Sequence, residues 1–267
     1  MNASTLSGEI ERRFDAAHDI IREAAALAMR MRPPPGAPVA SMKGAQDWVT
    51  EADRAVEALV AERIGALFPA DGFQGEEGGR QREGTLRWIV DPIDGTSNFA
   101  RGRERWCVSL GLFENERPVA GLLLAPVVDE LFAARRGGGA TLNGRPIKAS
   151  PAQDLHRSMI EIGWGPTVPM DLFLSRMQRA MVAGAMPRSG GSGALALADV
   201  ACGRLDGYLE LAINLWDVAG ALPILHEAGA RVSPFLRVGG LRGPAPILAA
   251  APGLAVALGE RLEMTLD

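Results

Sequence analysis

The stretch RWIVDPIDGTSNF, residues 87–99, sets two aspartates three positions apart around a proline, between a run of β-formers and the start of a helix. Trp88, Ile89 and Val90 suit a strand, which delivers Asp91 at its C-terminal end, the edge that carries function in layered α/β architectures. Pro92 fixes φ and lacks a ladder N–H, so the chain is expected to leave the sheet there. Gly95 permits a tight turn, and Thr96, Ser97 and Asn98 open a helix whose first amides are free. Two carboxylates converging on that helix end repel, and each raises the other's pKa unless a cation lies between them. A hard divalent ion such as Mg²⁺ satisfies both and can also hold a phosphate oxygen presented by the amides. By turn chemistry alone, Asp91 and Asp94 fit equally well as a turn aspartate and an N-cap.

Outward from this stretch, Ile10, Phe14, Ala17, Ile21, Ala24 and Ala28 recur at helical spacing and predict a helix over 9–32, stopped by the prolines at 33–35. A second helix follows Thr50, an N-cap, and ends at Pro69. The segment DGFQGEEGG, residues 71–79, reads as a loop. Residues 106–147 alternate apolar runs with turn residues, the pattern of a β-meander, and RRGGGATLNGRP within it reads as hairpin turns, since it opens no helix. From residue 151 short strands alternate with helices, including one over WDVAGALPILHEAGA, a strand at PILAAAP and a last helix near GLAVALGERLEM. The expected fold is α/β, layered α+β, with 1–150 as an N-terminal half carrying the acidic loops and 151–267 as a C-terminal half completing the site.

A net charge of −4 and 47% hydrophobic residues give no nucleic-acid or membrane surface, so the expected partner is a small molecule. Cys107 and Cys202 form no metal or disulfide pattern and read as small buried hydrophobes of a reducing compartment. The N-terminus lacks a signal-peptide pattern and no apolar run reaches membrane-span length, so the expected location is the cytoplasm. His18, His156 and His226 are scattered and form no triad or zinc pattern.

GEE at 75–77, WIVDPIDGTSNF and, far downstream, LWDVAGALPILHEAGA together resemble the inositol monophosphatase family of metal-dependent, lithium-sensitive phosphatases, from about Lys43 to Gly229. The resemblance implies an αβαβα sandwich, a homodimer and two to three Mg²⁺ ions. It places Glu76, Asp91 and the carbonyl of Ile93 on one ion, and Asp91, Asp94 and Asp217 on a second. Gly95 and Thr96 would give amides to the phosphate, with Asp94 and Asp217 beside it. Asp53 with Thr96 would orient the attacking water, and Lys43 would sit in the outer shell. Glu210 would accept substrate hydroxyls, and Gly193 would let the backbone approach the ring. Asp53 fits a capping box from Thr50 as well, and Asp217 fits the first turn of its helix.

That chemistry agrees with what a phosphate monoester requires: cations on the phosphate, and a water held in line. An aspartyl-phosphate phosphatase would need its nucleophile at position 92, which is Pro, and Ser192 lacks the final glycine of a serine-hydrolase elbow. The expected activity is Mg²⁺-dependent hydrolysis of a small phosphorylated polyol such as inositol 1-phosphate. Histidinol phosphate, 3′-phosphoadenosine 5′-phosphate and fructose 1,6-bisphosphate are the alternatives within the chemistry, and a non-catalytic phosphate- or metal-binding protein the alternative outside it. The tail 230–253 departs from the family pattern, which bears on the outer wall of the pocket.

Overall fold

Alternation along the strand Cys107–Glu114 explains the layering: Val108, Leu110 and Leu112 bury toward one side, Cys107 and Phe113 toward the other, and all are under 2% exposed. A strand apolar on both faces needs a helical layer on each. The structure, a computed structural model, describes residues 3–34, 36, 42–44, 47–48 and 50–266, with side chains for 8–34, 36 and 50–266.

The first half runs α1 (Ala3–Met31), β1 (Met42–Gly44), β2 (Asp47–Trp48), α2 (Glu51–Leu67), β3 (Gly72–Gly75), β4 (Gly79–Arg82), β5 (Leu86–Asp94) and α3 (Thr96–Ala100). A meander follows: β6 (Cys107–Glu114), β7 (Arg117–Ala125), β8 (Glu130–Arg135), β9 (Ala140–Leu142) and β10 (Arg145–Pro146). Then come β11 (Met159–Ile162), α4 (Met170–Val182), β12 (Met186–Arg188), α5 (Gly193–Ala201) and β13 (Gly207–Ile213). The last elements are α6 (Leu215–Ala219), α7 (Ala221–Glu227), β14 (Arg231–Val232), β15 (Ala245–Ala250) and α8 (Ala255–Leu262).

Among the described residues, eight strands form one sheet in the order β10-β9-β8-β7-β6-β5-β3-β4, and five form a second, β12-β11-β13-β15-β14. Helices α1 and α2 cover the outer face of the larger sheet through Ile21, Val56, Val60 and Ile64. Helices α5, α6 and α7 form a middle layer shared by both sheets, and α4 and α8 close the far side on Ile160, Leu209 and Leu248. The result is an αβαβα sandwich.

Three expectations are corrected. The segment 71–79 is not a loop: β3 runs parallel to β5, with Gly72 opposite Arg87 and Gly75 opposite Val90, and turns back as β4. Its glycines mark close approach, since a Cβ at Gly75 would lie 2.2 Å from the Glu57 carboxylate. Pro92 does not end the strand, because a bulge between Asp91 and Asp94 absorbs the missing N–H and pairing resumes at Asp94–Cys107. The helix expected over WDVAGALPILHEAGA is two, α6 and α7, meeting at Gly220. Asp217 is therefore the third residue of α6 rather than its opening residue.

Candidate metal and phosphate site

Strand β5 is buried along its whole length, and the bulge near its end brings the carboxylates of Asp91 and Asp94 together with that of Asp217 from α6. The Asp91 carboxylate accepts from the Ile93 amide at 3.0 Å, which folds the carboxylate back over the bulge. Gly95 then takes a left-handed φ of 92°, which starts α3 at once. Asp217 arrives from the opposite side, where Asn214 caps α6 and its amide donates to Asp217 Oδ2 at 2.8 Å. Close helix–sheet contact makes this meeting possible: a Cβ at Gly121 of β7 would lie 2.0 Å from the Gly220 carbonyl oxygen.

Asp91, Asp94 and Asp217 thus offer carboxylate oxygens that all lie within 4.8 Å of one another. Among the described residues none of the three forms an ion pair with a basic side chain. Burial raises the Asp91 carboxyl well above its ordinary value, reinforced by the charges of Glu76, Asp94 and Asp217. Burial pushes Asp94 up to about 6 against the hydrogen bonds from Ser192 and the Ala194 amide, and pushes Asp217 up to about 8 with help from Asp94 and Glu210. An all-oxygen acid cluster, buried at Asp91 and Asp94 and without an ion pair to a basic side chain among the described residues, fits a hard divalent cation.

Glu76 stands beside Asp91 at the end of β3, its amide donating to the Val90 carbonyl at 3.2 Å. Its turn is held by Glu57, 4% exposed, which accepts from the Glu77 and Gly78 amides at 2.8 Å each. Thr50 and Asp53 form the capping box of α2, and Asp53 Oδ2 accepts from the Thr50 amide at 2.7 Å and its hydroxyl at 2.6 Å. That leaves Asp53 Oδ1 facing Thr96 Oγ1 at 3.3 Å, while the same hydroxyl reaches the Ile93 carbonyl at 3.0 Å. Burial raises the Asp53 pKa, making it a better proton acceptor. Lys43 lies in β1, and its side chain falls outside the described residues.

Beyond the acids a cavity of about 210 Å³ opens, lined among others by Asp94, Glu161, Trp164, Ser192, Gly193 and Glu210. Tyr208 donates its hydroxyl to Glu210, and burial pushes Glu210 up to about 7. Sequence reasoning missed Glu57, Glu161, Ser192 and Tyr208. Ser192 caps α5 and donates its hydroxyl to Asp94, a bond across 98 residues that no local pattern announces.

The αβαβα sandwich thus gathers Asp91 and Asp94 of β5 and the half-buried Asp217 of α6 into a cluster that could hold a metal ion, in the class of the phosphoric monoester hydrolases to which the comparisons assign the chain. The chain belongs to the inositol monophosphatase family, whose profile matches residues 9–257. It is 39% identical over 201 residues to an inositol-1-monophosphatase of Synechocystis sp., covering 72% of this chain and 68% of that protein. It is also 37% identical over 195 residues to the Nus factor SuhB of Xylella fastidiosa, covering 72% and 71%. The solved inositol monophosphatase of Anabaena (Nostoc) sp. superposes with a TM-score of 0.82 at 32% identity, covering 96% of each chain. Among the described residues no helix is long and apolar enough to cross a membrane.

Proposed function

We propose that the enzyme hydrolyses a small phosphorylated polyol, inositol 1-phosphate being the reference compound, with two to three Mg²⁺ ions and an activated water. The convergence of Asp91, Asp94 and Asp217 beside Glu210 carries the reading. Asp91 with Glu76 and the Ile93 carbonyl would hold one ion, and Asp91, Asp94 and Asp217 another; an oxygen-only donor set suits Mg²⁺. Bound there, the cations supply charge neutralisation for the phosphoryl group and its leaving oxygen.

The chain does the rest. Gly95 and Thr96 direct the first amides of α3 at the phosphate, where helix-end donors favour an anion. Thr96 Oγ1 accepts a proton from the attacking water while passing its own to Asp53 Oδ1, which the capping box holds in place. Glu210, with one oxygen taken by Tyr208, offers the other to a hydroxyl of the leaving group, and Gly193 leaves room for the ring. Lys43 belongs to the surrounding shell in this reading.

The test is phosphate release in millimolar Mg²⁺ from inositol 1-phosphate, histidinol phosphate, 3′-phosphoadenosine 5′-phosphate and fructose 1,6-bisphosphate. The highest kcat/KM is expected on inositol 1-phosphate, and a hundredfold preference for any of the others refutes the polyol assignment. Lithium at tens of millimolar is expected to inhibit. We also propose a cytoplasmic homodimer, with halves 1–150 and 151–267 parting between Pro146 and Met159, where the strands of one sheet end and those of the other begin. The dimer reading is supported by Met170, Leu174, Met181 and Val182 of α4, each more than half exposed, and light scattering tests it.

A further inference from the structure

The pocket's leaving-group side is bounded by the loop 189–193, and three separate groups converge on one residue of it. The Gly190 amide donates to Glu161 Oε1 at 2.8 Å. The Gly190 carbonyl accepts from Asn98 Nδ2 at 2.9 Å, and the same nitrogen reaches the Arg105 carbonyl at 2.7 Å. The Gly190 Cα packs on the Arg105 side chain so tightly that a Cβ would lie 2.3 Å from Arg105 Nε. Arg105 is thus involved twice, and it also forks: Nη2 to Glu161 Oε2 at 2.8 Å and Nη1 to Asp199 Oδ2 at 2.9 Å. Glu161 comes from β11 and Asp199 from α5, so one guanidinium ties the entry of β6 to the second sheet and to the middle helix layer.

We propose that Arg105 is a positioning residue of this phosphatase, which sets the 189–193 loop by clamping Glu161 and balances the charge of that carboxylate inside the pocket. Glu161 is 4% exposed and lines the same cavity as Asp94 and Glu210. A carboxylate there with no partner would repel a phosphate dianion and release its grip on Gly190. Two residues further on, Ser192 and the Ala194 amide hold Asp94, so the loop's placement bears on both the ring and the acid cluster. The fork demands arginine, since an ammonium is a point charge that cannot serve Glu161 and Asp199 in one plane. The leaving-group role of the loop rests on the function proposed above.

The test compares R105Q, R105K, E161Q and R105Q/E161Q with the wild-type enzyme in saturating Mg²⁺, on inositol 1-phosphate and on glycerol 2-phosphate, alongside amide hydrogen exchange of segment 186–192. R105Q is expected to raise KM about tenfold on the better substrate with kcat changed less than about threefold, and to speed exchange at Gly190 about tenfold. R105K restores the charge without the fork, so it recovers KM only in part and leaves Gly190 exchange fast. Adding E161Q to R105Q lowers KM again, because the uncompensated carboxylate is gone and the amide oxygen can still accept from Gly190. Unchanged KM and exchange in R105Q, loss of kcat alone, or a double variant no better than R105Q overturns the proposal. Should R105Q fail to fold, R105K decides: KM above and Gly190 exchange faster than in the wild-type enzyme are expected, and wild-type values in both overturn the proposal. Exchange needs no substrate, so failure of the polyol assignment leaves this test intact.

Discussion

At the scale of single residues, the site depends on carboxylates kept buried without basic partners. Asp94 shows the cost most directly: burial raises it to about 6 even though Ser192 and Ala194 donate to it. Asp94→Asn preserves the acceptor for the Ala194 amide and removes the charge. It is expected to cut kcat at least about a hundredfold while leaving the thermal midpoint of the chelated protein unchanged or higher. Wild-type turnover would rule out Asp94 as a ligand. Local chemistry made some of these residues readable beforehand. Thr50 with Asp53 is a capping box visible at three-residue spacing, whereas turn chemistry alone left the acids of D-P-I-D-G-T open between ligands and a turn aspartate with an N-cap. Ser192, Glu161 and Arg105 stayed hidden because their partners lie 98, 29 and 56 residues away, at separations where sequence spacing says nothing.

At the scale of elements, the helix–sheet distance decides where Asp217 sits. Gly121 on β7 accepts the backbone of Gly220 at a separation no side chain fits, and Gly111 on β6 does the same for Ala219. Gly121→Ala should push the α6–α7 junction off the sheet, costing about 1–3 kcal/mol of stability by overpacking. It should also weaken Mg²⁺ binding, read by isothermal titration, because Asp217 rides on α6. A stable variant with unaltered Mg²⁺ affinity would show that the contact does not set the acid. Helix α1 was legible from its apolar periodicity and α2 from its Thr50 cap and the stop at Pro69; β3 was not. Its four residues, GFQG, carry no alternation, and what makes them a strand is parallel pairing with β5. The break between α6 and α7 did leave a mark in the sequence: Pro223, the third residue of α7, has no N–H for the Ala219 carbonyl, and Gly220 lies against the sheet at the junction.

At the scale of the whole molecule, protons and cations compete for one cluster. A buried carboxyl with a raised folded-state pKa holds its proton when the unfolded chain has released it, so folding stability falls as pH rises between the two values. For Asp94 and Asp217 the window runs from the ordinary value of 3.8 to about 6 and about 8. The chelated protein should therefore melt at lower temperature at about pH 8 than at about pH 5, and the rise in midpoint on adding Mg²⁺ should grow over that interval. Differential scanning fluorimetry with and without chelator measures both, and a Mg²⁺ effect independent of pH would count against the acids as the binding site. The layered architecture itself was legible from the change in texture near residue 151, because alternating short strands and helices leave few ways to bury their faces.

The order of strands in the smaller sheet has a consequence for biosynthesis. Strand β15 follows both β13 and β14 along the chain yet lies between them, so β13 keeps an open hydrogen-bonding edge until residues 245–250 emerge. A nascent chain halted before Ala245 would carry the complete acidic loops yet expose that edge to neighbouring polysomes. Competence therefore waits for residues 245–250, and release before them is expected to give an aggregating fragment instead of a slow enzyme.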